Sequence, residues 1–314
     1  MAHTAPGKSD REGISLVKLM RMFPNDDAAR KWFEKQIWPH GAHCPKCGSF
    51  NVQHPIKHKT MTHRCRDCEG KPRFSLKTGN IMEGSKLGYQ TWAIALYLVM
   101  TNLKGVSSMK LHRDLEVTQK SAWHLAHRIR KAFAGGSPIF AGPTEADEAY
   151  FGGKEKNKHA NKRLKAGRGP VGKVPVAGVK DRATGTVVAK VVPDTSGDTL
   201  KGFVTAHTAE GSTVYTDDAA AYKGLPKRHH EAVRHSAGEY VRDMAHTNGM
   251  ESFWAMLRRG HDGTFHHFSE KHLDRYVAEF SGRHNIREAD TADMMAIIAR
   301  RSVGKRLRYR DLVA

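Results

Sequence analysis

Thr144-Glu145-Ala146-Asp147-Glu148-Ala149-Tyr150-Phe151-Gly152-Gly153 places acids inside a run that otherwise has the spacing of a buried strand. A carboxylate buried in a strand is costly unless it is paired or binds a cation. Asp147 is therefore the first candidate, preferred to Glu148 because alternation sends neighbours to opposite faces of a sheet. Residues 174–180 and 185–192 follow as two more Val-rich strands, separated by glycine and charged turns. Residues 198–207 can form a helix, 212–216 a short strand, and 247–259 and 271–285 two further helices.

Three strands, a helix, a strand and then helices is the element order of an RNase H-like α/β fold, expected over residues 138–290. Asp217 ends the strand at 212–216 and is followed by Asp218. The helix at 247–259 is two-sided. At about 100° per residue, Met250, Phe253, Trp254 and Leu257 gather on one side. Asn248, Glu251, Arg258 and Arg259 gather on the other, an acid beside cations suited to phosphate. Asp147, Asp217 and Glu251 together fit cleavage of phosphodiesters with two divalent ions, in which carboxylates hold the metals. Any one of these acids alone reads better as a surface charge.

The first half of the chain carries different chemistry. Cys44-Pro45-Lys46-Cys47 and Cys65-Arg66-Asp67-Cys68 hold all four cysteines. Two Cys-x-x-Cys pairs at this separation predict a zinc ribbon, structural because four thiolates close a tetrahedral shell. His43 and His63 stand beside the pairs as further possible ligands. Lys57, His58, Lys59, Arg64, Arg66, Lys71 and Arg73 make the ribbon a basic surface. Residues 22–84 are expected to form an N-terminal helix, begun at Asn25 or Asp26, with the ribbon. Residues 1–21 are expected to be disordered, and 291–314 to be a basic extension.

Residues 85–137 read as a helix-turn-helix region. Ser107 can cap one helix and Thr118 the next, with a turn at Glu116 and Val117. Gln119, Lys120, Trp123, His127, Arg128 and Arg130 are expected to point outward, with Gln119 and Arg128 as candidate base readers in a major groove. Lys162 and Arg163, in the basic loop Lys154 to Arg168, are candidate backbone contacts; a solvated loop is an equal reading. The net charge of +20 over 314 residues, spread end to end, suits a long polyanion. Residues 1–10 lack an apolar segment, and the most apolar run, 92–100, is too short to span a bilayer. A cytoplasmic, nucleoid-associated protein without a membrane partner is expected.

Further pieces bear on identity: Trp38-Pro39-x-Gly41-x-x-Cys44-Pro45-x-Cys47-Gly48, Thr78-Gly79-Asn80-Ile81-Met82-Glu83-Gly84-Ser85-Lys86 and Asp147-Glu148-Ala149-Tyr150-Phe151-Gly152-Gly153-Lys154. So do Thr216-Asp217 with Tyr222, His235-Ser236 with Glu239-Tyr240, and His246-Thr247-Asn248-x-x-Glu251-Ser252-Phe253-Trp254. With these the chain resembles the insertion-sequence transposases that join a zinc ribbon to a DDE domain, prokaryotic relatives of the Merlin-type transposases. The resemblance implies Mg²⁺ or Mn²⁺, double-stranded DNA (terminal inverted repeats and a target) as substrate, and a homo-oligomer on DNA. It implies catalytic roles for Asp147, Asp217 and a third residue, either Glu251 or Asn248. A non-catalytic DNA-binding regulator and a different RNase H-like nuclease are the competing readings. Metal-dependent cleavage and strand joining, respectively, separate them from a transposase.

Overall fold

The computed structural model describes residues 11–136, 138–153, 159–164, 171–233 and 246–314. The basic residues Lys154, Lys156, Lys158, Lys165 and Arg168, and the pieces His235-Ser236 and Glu239-Tyr240, lie outside these. The chain divides into two compact units. The first joins the described residues up to Phe133 to Ile286–Ala314, and the second is Ala134–Asn285.

In the first unit, helix α1 (Leu16–Met22) starts where Ser15 accepts the N–H of Lys18. Helix α2 (Asp26–Ile37) starts where Asn25 accepts the N–H of Ala28, with Asp26 and Asp27 in its first turn complementing the helix dipole. Strands β1 (Val52–Gln53), β2 (His63–Cys65) and β3 (Arg73–Phe74) form a small antiparallel sheet in that order. Helix α3 (Tyr89–Thr101) is apolar nearly all round, and it is accordingly a core helix. Among the described residues no helix is long and apolar enough to cross a membrane. Helices α4 (Ser108–Asp114) and α5 (Gln119–Phe133) follow Ser107 and Thr118, whose hydroxyls accept the N–H groups of Lys110 and Ser121. Between them Glu116 takes a left-handed φ of 52°, which makes the turn tight.

The two ends of this unit depart from the sequence reading. Residues 11–21 were expected to be disordered, yet Arg11 is buried and donates to Ala289 O, and Glu12 O accepts the N–H of Thr291. Residues 291–314, expected as an extension, form α9 (Thr291–Arg301) and α10 (Tyr309–Val313). Met294, Met295, Ile298 and Ala299 of α9 share one core with Trp92, Leu96, Leu125 and Ile129. Each segment is held by partners more than 100 residues away in sequence, which no local pattern reports.

The second unit is a sheet between helices. Its strands are β4 (Thr144–Phe151), β5 (Val174–Asp181), β6 (Val187–Val191), β7 (Thr213–Asp217) and β8 (His229–Val233), ordered β6-β5-β4-β7-β8. β4, β5 and β6 pair antiparallel; β7 runs parallel to β4, and β8 parallel to β7. β8 escaped the sequence reading because His229-His230-Glu231 is a polar edge without an apolar face. Helix α6 (Gly197–His207) packs Leu200 and Val204 against Ala146, Val179 and Val214 on one face. Helices α7 (Asn248–Gly260) and α8 (Glu270–Asn285) pack Met250, Phe253, Trp254, Leu257, Val277 and Phe280 against Ala149, Phe151 and Val176 on the other.

Gly178 in β5 makes the close approach of α7 possible. A Cβ there would lie 2.3 Å from Met250 Cε and 2.9 Å from Trp254 Cζ2. Gly178→Ala should therefore overpack the sheet and cost about 1–3 kcal/mol. Thermal denaturation checks this: an unchanged melting temperature would mean that α7 is not seated on β5 as described.

Candidate active site and metal centre

The acidic site is built from β4 outward. Glu145 is only 2% exposed. Its Oε1 accepts from Arg182 Nε at 2.9 Å, and its Oε2 accepts the backbone N–H of Met250 at 3.0 Å. Thr247, at the N-cap position of α7, makes no side-chain cap. Glu145 thus caps the helix from a different element, its charge meeting both a guanidinium and the positive end of the helix dipole. Arg182 also donates to His246 O at 2.6 Å and lies over the Tyr215 ring at 4.1 Å. Gly249 leaves the space for this arrangement: a Cβ there would be 2.6 Å from Glu145 Oε2 and 2.8 Å from Lys180 Nζ. Glu145 was not singled out from sequence, although it stands two residues before Asp147 on the same face, the very signal that marked Asp147.

Asp147 ties the same strand to the same helix one turn later, its Oδ2 accepting from Trp254 Nε1 at 3.0 Å. Burial, with Glu148 and Asp217 as neighbouring negative charges, pushes its carboxyl up to about 7. Asp217 ends β7, and its Oδ1 accepts the N–H of Ala219 at 3.2 Å. Asp218 beside it is exposed. Glu148 accepts from the buried Tyr222 hydroxyl at 2.7 Å, and burial raises its pKa too, with Asp217 adding to the effect.

Glu148 lies near enough to feel the charge of Asp217, as Asp147 does. Alternation holds: Asp147 and Glu148 sit inside the β4–β5 ladder, opposite Gly178 and Ala177, and Asp147 reaches Trp254 of α7 while Glu148 reaches Tyr222 of the cluster on the α6 face. Asn248 and Glu251 are exposed on the first turn of α7, with Thr247 Oγ1 donating to Glu251 Oε1 at 3.5 Å. Arg258 and Arg259 are exposed in its last turn, and Arg163 is exposed at 163. Lys162 closes a short 3-10 turn, and its side chain lies outside the described residues.

The thiol site is closed. Cys44, Cys47, Cys65 and Cys68 bring their sulfurs within 4.8 Å of one another, and among the described residues no other group of three or more His, Cys, Asp or Glu side chains does so. Cys44 and Cys68 Sγ are 3.8 Å apart, and Cys47 and Cys65 Sγ 3.7 Å. A tetrahedron with Zn–S of about 2.3 Å has edges of about 3.8 Å, so the sulfurs fit this ion. The N–H of Cys68 donates to Cys65 Sγ and helps pull that thiol down to about 7, whereas Cys47 and burial push Cys68 up to about 12. Four thiolates this close are compatible only around a cation. His63 is not a ligand: it is buried, stacked on His54 at 4.0 Å and Phe74 at 5.3 Å, and burial lowers its pKa to about 4. His43 also stays out of the cluster, edge-on to Trp38.

Helix α5 differs from its expected role. Gln119 and Lys120 are exposed at its start, as the sequence suggested. Arg128 and Arg130, expected to point outward, are 6% and 3% exposed, and His127 is fully buried. Arg128 Nε donates to Leu307 O, Lys131 Nζ to Arg306 O and Lys305 Nζ to Ala132 O. The C-terminal segment thus covers the basic face of α5, and the amphipathic pattern alone cannot disclose a cover that arrives so late in the chain.

Comparison with known families matches a stretch of each unit. Residues 24–71 match the transposase zinc-ribbon domain, and residues 139–285 the ISXO2-like transposase domain. A protein of Halobacterium salinarum, described as an uncharacterized protein in transposable element ISH50, is 27% identical over 285 residues. The alignment covers 85% of this chain and 93% of that relative.

Two outcomes are expected. Cys65→Ser should remove stoichiometric zinc, read by metal analysis of the purified protein; full zinc content would refute the four-thiolate site. For Asp147 the folded pKa lies above the ordinary carboxylate value, so its contribution to stability is full below about pH 4 and lost as pH rises through about 7. Without added divalent metal, Asp147→Asn should therefore melt higher than the unmodified protein at pH 8, with the gap shrinking toward pH 4. A gap independent of pH would refute the burial of this charge.

Proposed function

We propose, from the membership of this chain in the zinc-ribbon insertion-sequence transposases, that it binds terminal inverted repeats and carries out metal-dependent cleavage and strand transfer of DNA. The observation that carries the reading is the carboxylate of Asp147, buried within β4 and opposed by Glu148 and Asp217. A divalent cation would relieve this repulsion, and Mg²⁺ or Mn²⁺ takes carboxylates together with water and substrate oxygens. The order of the sheet, three antiparallel strands followed by two parallel ones with helices on both faces, supports an RNase H-like fold for the second unit.

In this reading Asp147, Asp217 and Glu251 would hold the two ions. When bound, the metals would activate the attacking water or 3′-hydroxyl and stabilise the leaving oxygen. Glu251 is preferred to Asn248 as third ligand because an ionised carboxylate offsets the charge of the metal and an amide does not. Asn248, one turn earlier on α7, orients a water or a phosphate. Glu145 and the Trp254 indole hold α7 so that both exposed residues stand at the end of the helix tied to β4. Arg258, Arg259, Lys162 and Arg163 supply cations for the DNA backbone. The acids need not be closed in the free protein, since phosphate oxygens complete each shell.

The first unit is the DNA-holding part. The zinc ribbon exposes Lys57, Lys59, Arg66, Lys71 and Arg73. Helices α4 and α5 form a helix-turn-helix whose second member presents Gln119 and Lys120 at its start. Two ends must be joined to one target, so the working form is a homo-oligomer on DNA.

The test is cleavage and joining of a terminal-repeat duplex in Mg²⁺. Asp147→Ala, Asp217→Ala and Glu251→Ala should each abolish both reactions and leave binding measurable, whereas Asn248→Ala should slow them less. Near-normal cleavage by Glu251→Gln together with loss in Asn248→Ala would transfer the third position to Asn248. Full activity in Asp147→Ala would sink the catalytic reading.

A further inference from the structure

The first unit contains a cleft of about 430 Å³ lined by residues 83–87, α5 and residues 306–309. Four cations line it: Lys86, Arg128, Arg306 and Arg308. Two of them are already balanced. Arg306 Nη1 pairs with Glu83 at 2.8 Å, and Arg308 pairs through two nitrogens with Asp311 at 2.7 and 2.8 Å. The other two are not. Lys86 is exposed and makes no ion pair among the described residues. Arg128 is 6% exposed, and its described hydrogen bonds, to His124 Nε2 and Leu307 O at 3.1 Å each, use Nε alone.

The outer nitrogens of this guanidinium meet no acceptor among the described residues and open onto the cleft, where an anion would complete their hydrogen bonds. Burial and the nearby Arg306 charge pull Arg128 down to about 10. Burial likewise lowers the pKa of His124, leaving its ring without charge near neutrality. The excess is thus two positive charges facing one cavity, with the Ser85 and Ser121 hydroxyls beside them.

We propose that this cleft seats one phosphodiester group of a polynucleotide, held by Arg128 at its floor and Lys86 at its rim. The fork of Arg128 matches the two non-bridging oxygens of a phosphodiester, and its single negative charge leaves the site cationic. A polynucleotide is favoured over a free phosphate by what adjoins the cleft. Tyr309, which lines it, also carries Lys120 Nζ over its ring at 4.5 Å. The cleft therefore runs on to the exposed start of α5, the part assigned to DNA above. The C-terminal segment becomes part of the DNA-binding surface, since Leu307 positions Arg128 and residues 306–309 supply one wall. This inference rests on the reading of the chain as DNA-acting, but not on its catalysis.

The test uses the full chain with no added divalent metal, so that cutting cannot intervene. Anisotropy of a labelled duplex is measured against salt for the unmodified protein, Lys86→Gln, Arg128→Gln and the double variant. One lost phosphate contact lowers the slope of log K against log salt by about 0.9. Both cations share one phosphate, so the double variant should lose no more than about 0.9 in total, with a several-fold loss of affinity. Lys86 makes no side-chain bond among the described residues, so Lys86→Gln decides the matter even if Arg128→Gln folds poorly. An unchanged slope and affinity in Lys86→Gln overturns the proposal, as does a double-variant loss near about 1.8, which means two separate phosphates. Broadening of the ³¹P signal of inorganic phosphate that Lys86→Gln removes, with duplex affinity unchanged, assigns the cleft to a free phosphate and overturns it as well. Absence of duplex binding by the unmodified protein would sink the DNA-acting reading itself, whereas normal binding that added Mg²⁺ does not turn into cleavage would sink only the catalytic one.

Discussion

The carboxylate of Glu145 holds the catalytic unit to its proposed task. One oxygen takes the first free N–H of α7 that it can reach, and the other takes Arg182. An acid this deeply buried is unfavourable unless both demands are met. Once they are met, the orientation of α7 relative to β4 is fixed, and Asp147 and the Trp254 indole fix it again further along. The exposed pair Asn248 and Glu251 inherits its position from this lock. Two glycines are part of it: Gly249 lets the carboxylate reach the helix backbone, and Gly178 lets the helix reach the sheet.

The thiol site and the proposed acidic site stand at opposite ends of coordination chemistry. The ribbon brings four soft sulfurs together, held by turns and by N–H groups aimed at sulfur, and its geometry leaves no vacant ligand position. That site substitutes for a core in a segment whose buried apolar cluster is little more than Cys44, Cys65 and Phe74. The acidic site is the reverse, made of hard oxygens on rigid strands and left open. Openness suits a site that must admit the oxygens of a substrate, and closure suits one that must only hold a fold.

Local pattern carried most of the second unit. The alternation in β4, the valines of β5 and β6 and the two-sided α7 were legible because each element buries one face against a contiguous neighbour. The paired cysteines were legible because their spacing is itself the geometry. What escaped was set at long range. β8 is a polar edge strand defined by its partner β7, and the cover on α5 comes from residues near 307, more than 170 positions further on. Glu145 escaped for a subtler reason: the same alternation that picked out Asp147 also picks out its neighbour two residues earlier, and only the position of α7 tells a capping acid from a metal ligand.

The first unit is discontinuous in sequence, its helices α1 to α5 being completed by α9 and α10 from the far end of the chain. During synthesis, therefore, α5 emerges with its apolar and cationic face uncovered and stays so while the whole second unit is translated. Ile298 and Leu307 close that face last. A chain that terminates before residue 306 never gains one wall of the basic cleft. Finished molecules and fragments are thereby distinguished by folding alone, before either meets a partner.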